Sequence, residues 1–159
     1  MSEAFDKQFM TRAIELAIEN VRSGQGGPFA AVIVKDRREI ATGTNLVTSA
    51  NDPTAHAEVV AIRAACKKLK SFQLTDCDLY VTCEPCPMCL GAIYWARPAR
   101  VWFGATARDA ADAGFDDAFI YQQIAARREQ RQIPFLETMR GEALKCFEAW
   151  RRKTDRINY

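Results

Sequence analysis

The chain has 159 residues, 48% of them hydrophobic, with 22 Lys and Arg against 20 Asp and Glu. That length suits one globular domain, which buries about 70% of its unfolded-chain surface and needs no staple for stability. A net charge of +2 gives no electrostatic ground for a nucleic-acid or membrane partner, and the charged, interrupted N-terminal stretch has neither the run of a signal peptide nor that of a membrane span.

The charge is uneven. Residues 127–159 carry nine basic and five acidic side chains, a net of +4, and the rest of the chain carries −2. Six cysteines allow three disulfides, but a cytoplasmic, reducing location argues against them. Cys83, Cys86 and Cys89 are spaced by three, a pattern of metal binding. Cys66, Cys77 and Cys146 read as small buried apolar residues.

In chain order, residues 4–23 place Phe5, Phe9, Ala13, Ala17 and Val21 at intervals of four, with Met10, Ile14 and Ile18 beside them, which predicts an amphipathic helix. Gly24 and Gly26-Gly27-Pro28 end it. Phe29–Val34 and Glu39–Asn45 are two strands joined by a turn at Lys35-Asp36-Arg37-Arg38. Residues 46–53 are a polar loop, and Asp52-Pro53 or Thr54 caps the next helix. That helix carries Ala55, Val59, Ile62 and Cys66 on one side and ends near Lys70. Leu79–Thr82 is a third strand, Met88–Ala96 a helix started by Pro85 and Pro87, and Val101–Gly104 a fourth strand. Residues 105–118 read as a loop and Asp117–Ala126 as a short helix. Ile133–Thr138 is a fifth strand, confined to an edge by Pro134. Leu144–Arg156 is a terminal helix with Leu144, Phe147 and Trp150 on one side. Strands alternating with helices predict a three-layer α/β/α domain, about five strands in a mixed sheet with helices on both faces.

The chemistry is concentrated in two short stretches. His56 is the only histidine, two residues before Glu58 at the start of a helical pattern. Pro85-Cys86-Pro87-Met88-Cys89 opens the next one. An imidazole and two thiolates make three ligands of a tetrahedral zinc, with the fourth position left for water. Residues two apart do not share a helix face, so Glu58 is left over beside that water to move protons. Alone, Cys-x-x-Cys also suits a redox dithiol, and Cys83 as fourth ligand would make a closed structural zinc, which leaves Glu58 unexplained. Together, H-x-E and P-C-x-x-C form the signature of the zinc deaminases.

The stretches Gly26–Phe29, Asn45, Asn51–Glu58, Cys83–Arg97 and Ala113–Asp117, with Tyr159, resemble the bacterial guanine deaminases of the cytidine-deaminase-like superfamily. The resemblance implies one zinc per subunit on His56, Cys86 and Cys89, with Glu58 as proton shuttle. It implies a purine held by Phe29, Asn45, Ala57 and Trp95, with Asp117 at its amino side or assisting proton transfer. It further implies a homodimer of 159-residue single-domain subunits that exchange residues 141–159, so that Tyr159 closes the partner's pocket. The expected reaction is hydrolysis of guanine to xanthine and ammonia. The tRNA adenosine deaminases share the metal motif, but Asp109, Asp112, Asp116 and Asp117 against Arg108 alone would repel a polyanion. Guanosine, cytosine and ammeline are alternative substrates, and the retained Glu58 argues against a vestigial RNA-binding module.

Overall fold

The structure, a computed structural model, describes residues 5–159; the expected helical start at residue 4 lies outside the described residues. It has two compact units, one ending at Asp117 and one running from Ala118 to Tyr159. In the first, helix α1 (Lys7–Arg22) is capped by Asp6, whose carboxylate accepts the Gln8 amide. Strands β1 (Ala30–Lys35) and β2 (Arg38–Thr44) form the expected hairpin. Asp36 and Arg37 turn it with φ of 50° and 56°, the left-handed pair whose twist matches that of the flanking strands.

One-turn helix α2 (Val47–Ala50) lies in the expected polar loop, followed by α3 (Ala57–Leu69), β3 (Cys77–Cys83), α4 (Pro87–Ala96), β4 (Arg100–Ala105) and α5 (Ala107–Asp112). The sheet order is β2-β1-β3-β4. β1 runs antiparallel to both neighbours, and β3 and β4 are parallel, joined through α4 as a parallel pair requires. At the start of that pair Asp78 sits opposite Arg100. The guanidinium donates Nε and Nη2 to the buried carboxylate at 2.9 and 3.0 Å, a two-pronged bond that fixes register.

Both faces of the sheet are covered, which explains why β1 reads as an unbroken apolar run. Val32, Val34 and Tyr80 meet Phe9 and Ala13 of α1 on one face. Ala31, Ile33, Leu79 and Val81 meet α3 and α4 on the other. Fully buried side chains such as Ile33 and Leu79 each stabilise the fold by roughly 1.5–3 kcal/mol.

Two helical faces differ from expectation. The buried stripe of α1 is Phe9, Ala13, Ala17 and Asn20, so Ile14, Ile18 and Val21 are exposed. The buried face of α3 is Ala57, Glu58, Ala61 and Ala65, one position round from the predicted row. The cause is close approach to β2. A Cβ on Gly43 would overlap the Ala57 carbonyl oxygen and the Ala61 amide, and only small side chains fit between such surfaces.

In the second unit α6 (Ala118–Ala125) and α7 (Arg140–Arg152) are separated by a 3₁₀ turn at Arg128–Gln130. The fifth strand predicted for Ile133–Thr138 is not formed. Among the described residues the sheet has four strands, and this segment is irregular. Pro134 lacks an amide for a ladder. Ile133, Phe135 and Leu136 are all exposed, Leu136 at 86%, without the alternation a half-buried strand needs. Cys146, expected in a core, is exposed too.

Candidate metal centre

The N-termini of α3 and α4 build the site. His56 is the N-cap of α3 and Cys86 that of α4, both in extended conformation and neither making a side-chain cap bond among the described residues. Asp52, expected to cap α3, instead accepts the amide and hydroxyl of Thr54. It thereby shapes the loop and hands the cap position to His56. Pro87 occupies the first helical position of α4, where its fixed φ and missing amide suit a helix start.

The side chains that would ordinarily serve the helix amides therefore face one another. His56 Nδ1 lies 3.5 Å from Cys86 Sγ and 3.5 Å from Cys89 Sγ. All three ligand atoms fall within 4.8 Å. Tetrahedral zinc, with bonds of about 2.1 Å to nitrogen and 2.3 Å to sulfur, separates such atoms by about 3.6 Å, so the donors fit the ion in type and spacing. Cys83 is outside this group; its thiol donates to the Thr106 carbonyl at 3.5 Å.

The three side chains are electrostatically coupled. The Cys86 thiol is lowered to about 4, chiefly because Cys89 donates a hydrogen bond to its sulfur, with His56 adding to the effect. Cys89 is correspondingly raised, since it gives that hydrogen to Cys86 and is buried. His56 is raised by its bond to Cys86. A metal held by these groups would need a neutral imidazole and two thiolates, so its binding would be coupled to proton release. Two helix N-termini add partial positive charge beside the thiolates.

Glu58, in the first turn of α3, is 8% exposed. Burial pushes its carboxyl above the ordinary range, against the lowering effects of its own backbone amide and the Cys89 thiol. Asp117, last residue of its unit, is also raised, by burial first and then by the charges of Cys86, Asp116 and Glu84.

Of the other expected residues, Phe29 precedes β1, half-buried, with its ring edge-on to Phe115 at 4.9 Å. Asn45 comes directly after β2, and its side-chain oxygen accepts the Val47 and Gly27 amides at 3.3 and 3.5 Å. Ala57 is buried beside His56. Trp95, near the end of α4, is 64% exposed. Tyr159 belongs to the second unit and is 72% exposed.

Sequence reasoning gave no individual role to three supporting residues. Asn20, 5% exposed, is the polar end of an otherwise apolar helical stripe, a signal visible in the pattern. Phe115 comes after Gly114, whose φ of 92° marks a turn. Glu84 accepts the Ala107 amide at 3.0 Å, tying the residues before α4 to the start of α5.

Residues 3–105 match the model of the cytidine and deoxycytidylate deaminase zinc-binding region, and the chain belongs to that family of zinc-dependent hydrolases. His56, Cys86 and Cys89 are the residues positioned to hold its zinc. The chain is 58% identical to the guanine deaminase of Bacillus subtilis (strain 168) over 95% of this chain and 97% of that protein. The X-ray structure of guanine deaminase from Bacillus subtilis superposes with a TM-score of 0.95 at 56% identity, covering 98% and 99% of the two chains. A guanine deaminase from Nitrosomonas europaea is 31% identical with a TM-score of 0.67 over 82% of this chain and 71% of that one. The tRNA-specific adenosine deaminase of Haemophilus influenzae is 45% identical, but over 64% of this chain and 59% of its own length.

Proposed function

We propose that the protein hydrolyses guanine to xanthine and ammonia. The observation that carries this reading is the extent of likeness. The similarity to the Bacillus guanine deaminase runs through nearly the whole chain, including the residues beyond β4, whereas the tRNA-specific relative leaves about a third unmatched.

When bound, zinc supplies a Lewis acid that lowers the pKa of a water ligand to about 7. Everything else falls to this chain's residues. Glu58 takes a proton from the attacking water while its oxygen bonds to C2 of guanine. The carboxyl then gives that proton to ring nitrogen N3. A second transfer, from the new hydroxyl through Glu58 to the amino group, lets the C2–N bond break and ammonia leave, and xanthine keeps the oxygen. Water and guanine thus balance xanthine and ammonia. A carboxyl raised by burial suits both halves of this cycle near neutral pH.

Asn45 has its side-chain oxygen committed to main-chain donors, so its NH₂ group is the part available to read a purine acceptor. Phe29 and Trp95 offer aromatic faces to a flat base. Ala57 lines the site beside the metal ligands, and Asp117 faces the amino group as a further acceptor or proton carrier. Incubation of the zinc-loaded protein with free guanine should give stoichiometric xanthine and ammonia. Inosine formed in a tRNA anticodon, with guanine untouched, would reverse the assignment.

The same reading makes the protein a cytoplasmic homodimer whose residues 141–159 cross to the neighbouring subunit, with Tyr159 closing that subunit's pocket. The support lies in the second unit, none of whose residues is buried. Its apolar side chains, Phe147 and Trp150 among them, are exposed and need a surface to cover them. Exchange of an identical element is a low-cost route to a two-fold dimer. Six free cysteines suit a reducing compartment, and no helix among the described residues is long and apolar enough to cross a membrane.

Deletion of Arg156–Tyr159 should leave zinc content intact and sharply lower turnover. Co-expression of that truncation with Glu58→Gln chains, and isolation of the mixed dimer, reads the exchange directly. A crossing tail puts both lesions in one site and leaves the other whole, so about half the activity returns. A tail docked on its own subunit leaves each site with one lesion, and the mixed dimer stays inactive.

A further inference from the structure

Asn20 sits on the last turn of α1, well away in sequence from every residue so far given a role. Its Nδ2 group donates to two carbonyl oxygens at once, that of Gly27 at 2.9 Å and that of Asn45 at 2.8 Å. Both of its protons are thereby used. The two carbonyls belong to segments that lie side by side at one end of the β1–β2 hairpin, one leading into β1 and one leaving β2. Further bonds close the loop between them. The Asn45 amide donates to the Phe29 carbonyl at 3.1 Å, and the Gly27 amide donates back to Asn45 Oδ1 at 3.5 Å.

We propose that Asn20 is a positioning residue for purine recognition: from beneath the site it clasps the Gly27 and Asn45 main chains together and so fixes the Asn45 amide and the Phe29 ring where the base would meet them. The inference rests on the reading of Asn45 and Phe29 as purine contacts. The chemistry demands a residue of this kind. Two carbonyl oxygens brought together carry like partial charges, and although the Gly27 oxygen also accepts the Phe29 amide at 2.9 Å, their close approach favours a shared donor. A short neutral carboxamide supplies two donors from one nitrogen without adding a buried charge. An apolar residue, which the stripe of α1 would otherwise favour, would leave both oxygens without this donor. Gly26 belongs to the same device. A Cβ there would overlap the Asn45 carbonyl oxygen and come within 3.2 Å of Asn20 Nδ2, so the glycine is required by the closeness of the clasp rather than by a turn.

Asn20→Leu keeps the volume and removes the donor, and Gly26→Ala strains the clasp from the other side with Asn20 intact. Each should raise KM for guanine by about tenfold while kcat changes by less than about threefold, because the lesion moves binding groups and leaves Glu58 in place. Zinc should remain at one per chain. Asn20→Leu combined with Asn45→Ala should raise KM by clearly less than the product of the two single effects, since the two act in part through one group. A folded Asn20→Leu protein with wild-type KM, or an effect that adds fully to that of Asn45→Ala, would overturn the proposal. If Asn20→Leu does not fold, Gly26→Ala decides on the same terms. Wild-type KM in Asn45→Ala itself would overturn the purine-contact reading and this inference with it. A raised KM there, beside a normal one in Asn20→Leu, overturns this inference alone.

Discussion

Glu58→Gln is expected to keep one zinc per chain and lose about 10²–10⁴-fold in kcat, the usual scale for removing a positioned general base. The amide has the same shape and still fits the first turn of α3, so the fold should be unaffected. It cannot accept a proton from water, and this removes both transfers assigned to Glu58. Burial sharpens the loss. With Glu58 8% exposed, bulk water has little access to replace the missing base. The measurement is single-turnover xanthine formation beside metal analysis. A Glu58→Gln protein with full zinc and near-normal turnover would remove the carboxylate from the mechanism.

Cys89→Ala should lose the metal altogether and with it all measurable activity. Cys89 is fully buried, its sulfur is one of three converging donors, and no fourth protein ligand stands in reserve within that group. Cys83→Ala serves as the contrast. Its thiol bonds the Thr106 carbonyl, so its removal should leave zinc at one per chain and activity within about threefold, the loss of a single weak hydrogen bond. Metal content by mass spectrometry after exhaustive dialysis separates the two. Stoichiometric zinc in Cys89→Ala, or its loss in Cys83→Ala, would redraw the ligand set.

The metal centre was legible because its signal is local. His56, Glu58, Cys86 and Cys89 lie within the first turns of two helices, and helix starts are marked in sequence by proline and by the onset of apolar periodicity. The four strands that form were also legible, β1, β3 and β4 from short apolar runs and β2 as the return arm after the turn that follows β1. What escaped prediction depends on distant partners. The face that α3 buries is set by Gly43, more than ten residues upstream, which lets the helix approach until only alanines fit. The role of Asn20 depends on two carbonyls that its own stretch of chain does not contain. The fifth strand failed for a related reason: a β-branched and aromatic run is a strand only where an edge receives it, and among the described residues none does. Helix α5 was read as loop because its six residues are too short for periodicity to show. Its Thr106–Asp109 capping box was the signal available.

The family match stops at residue 105, where β4 ends. Up to that point lie the sheet, the two helix starts with the three candidate zinc ligands, and Glu58. Beyond it lie Asp117, the whole second unit and Tyr159. A change in the segment after β4 would therefore reach the proposed tail contact, Tyr159, while leaving in place the three candidate zinc ligands, Glu58 and the proposed base contacts Phe29, Asn45 and Trp95.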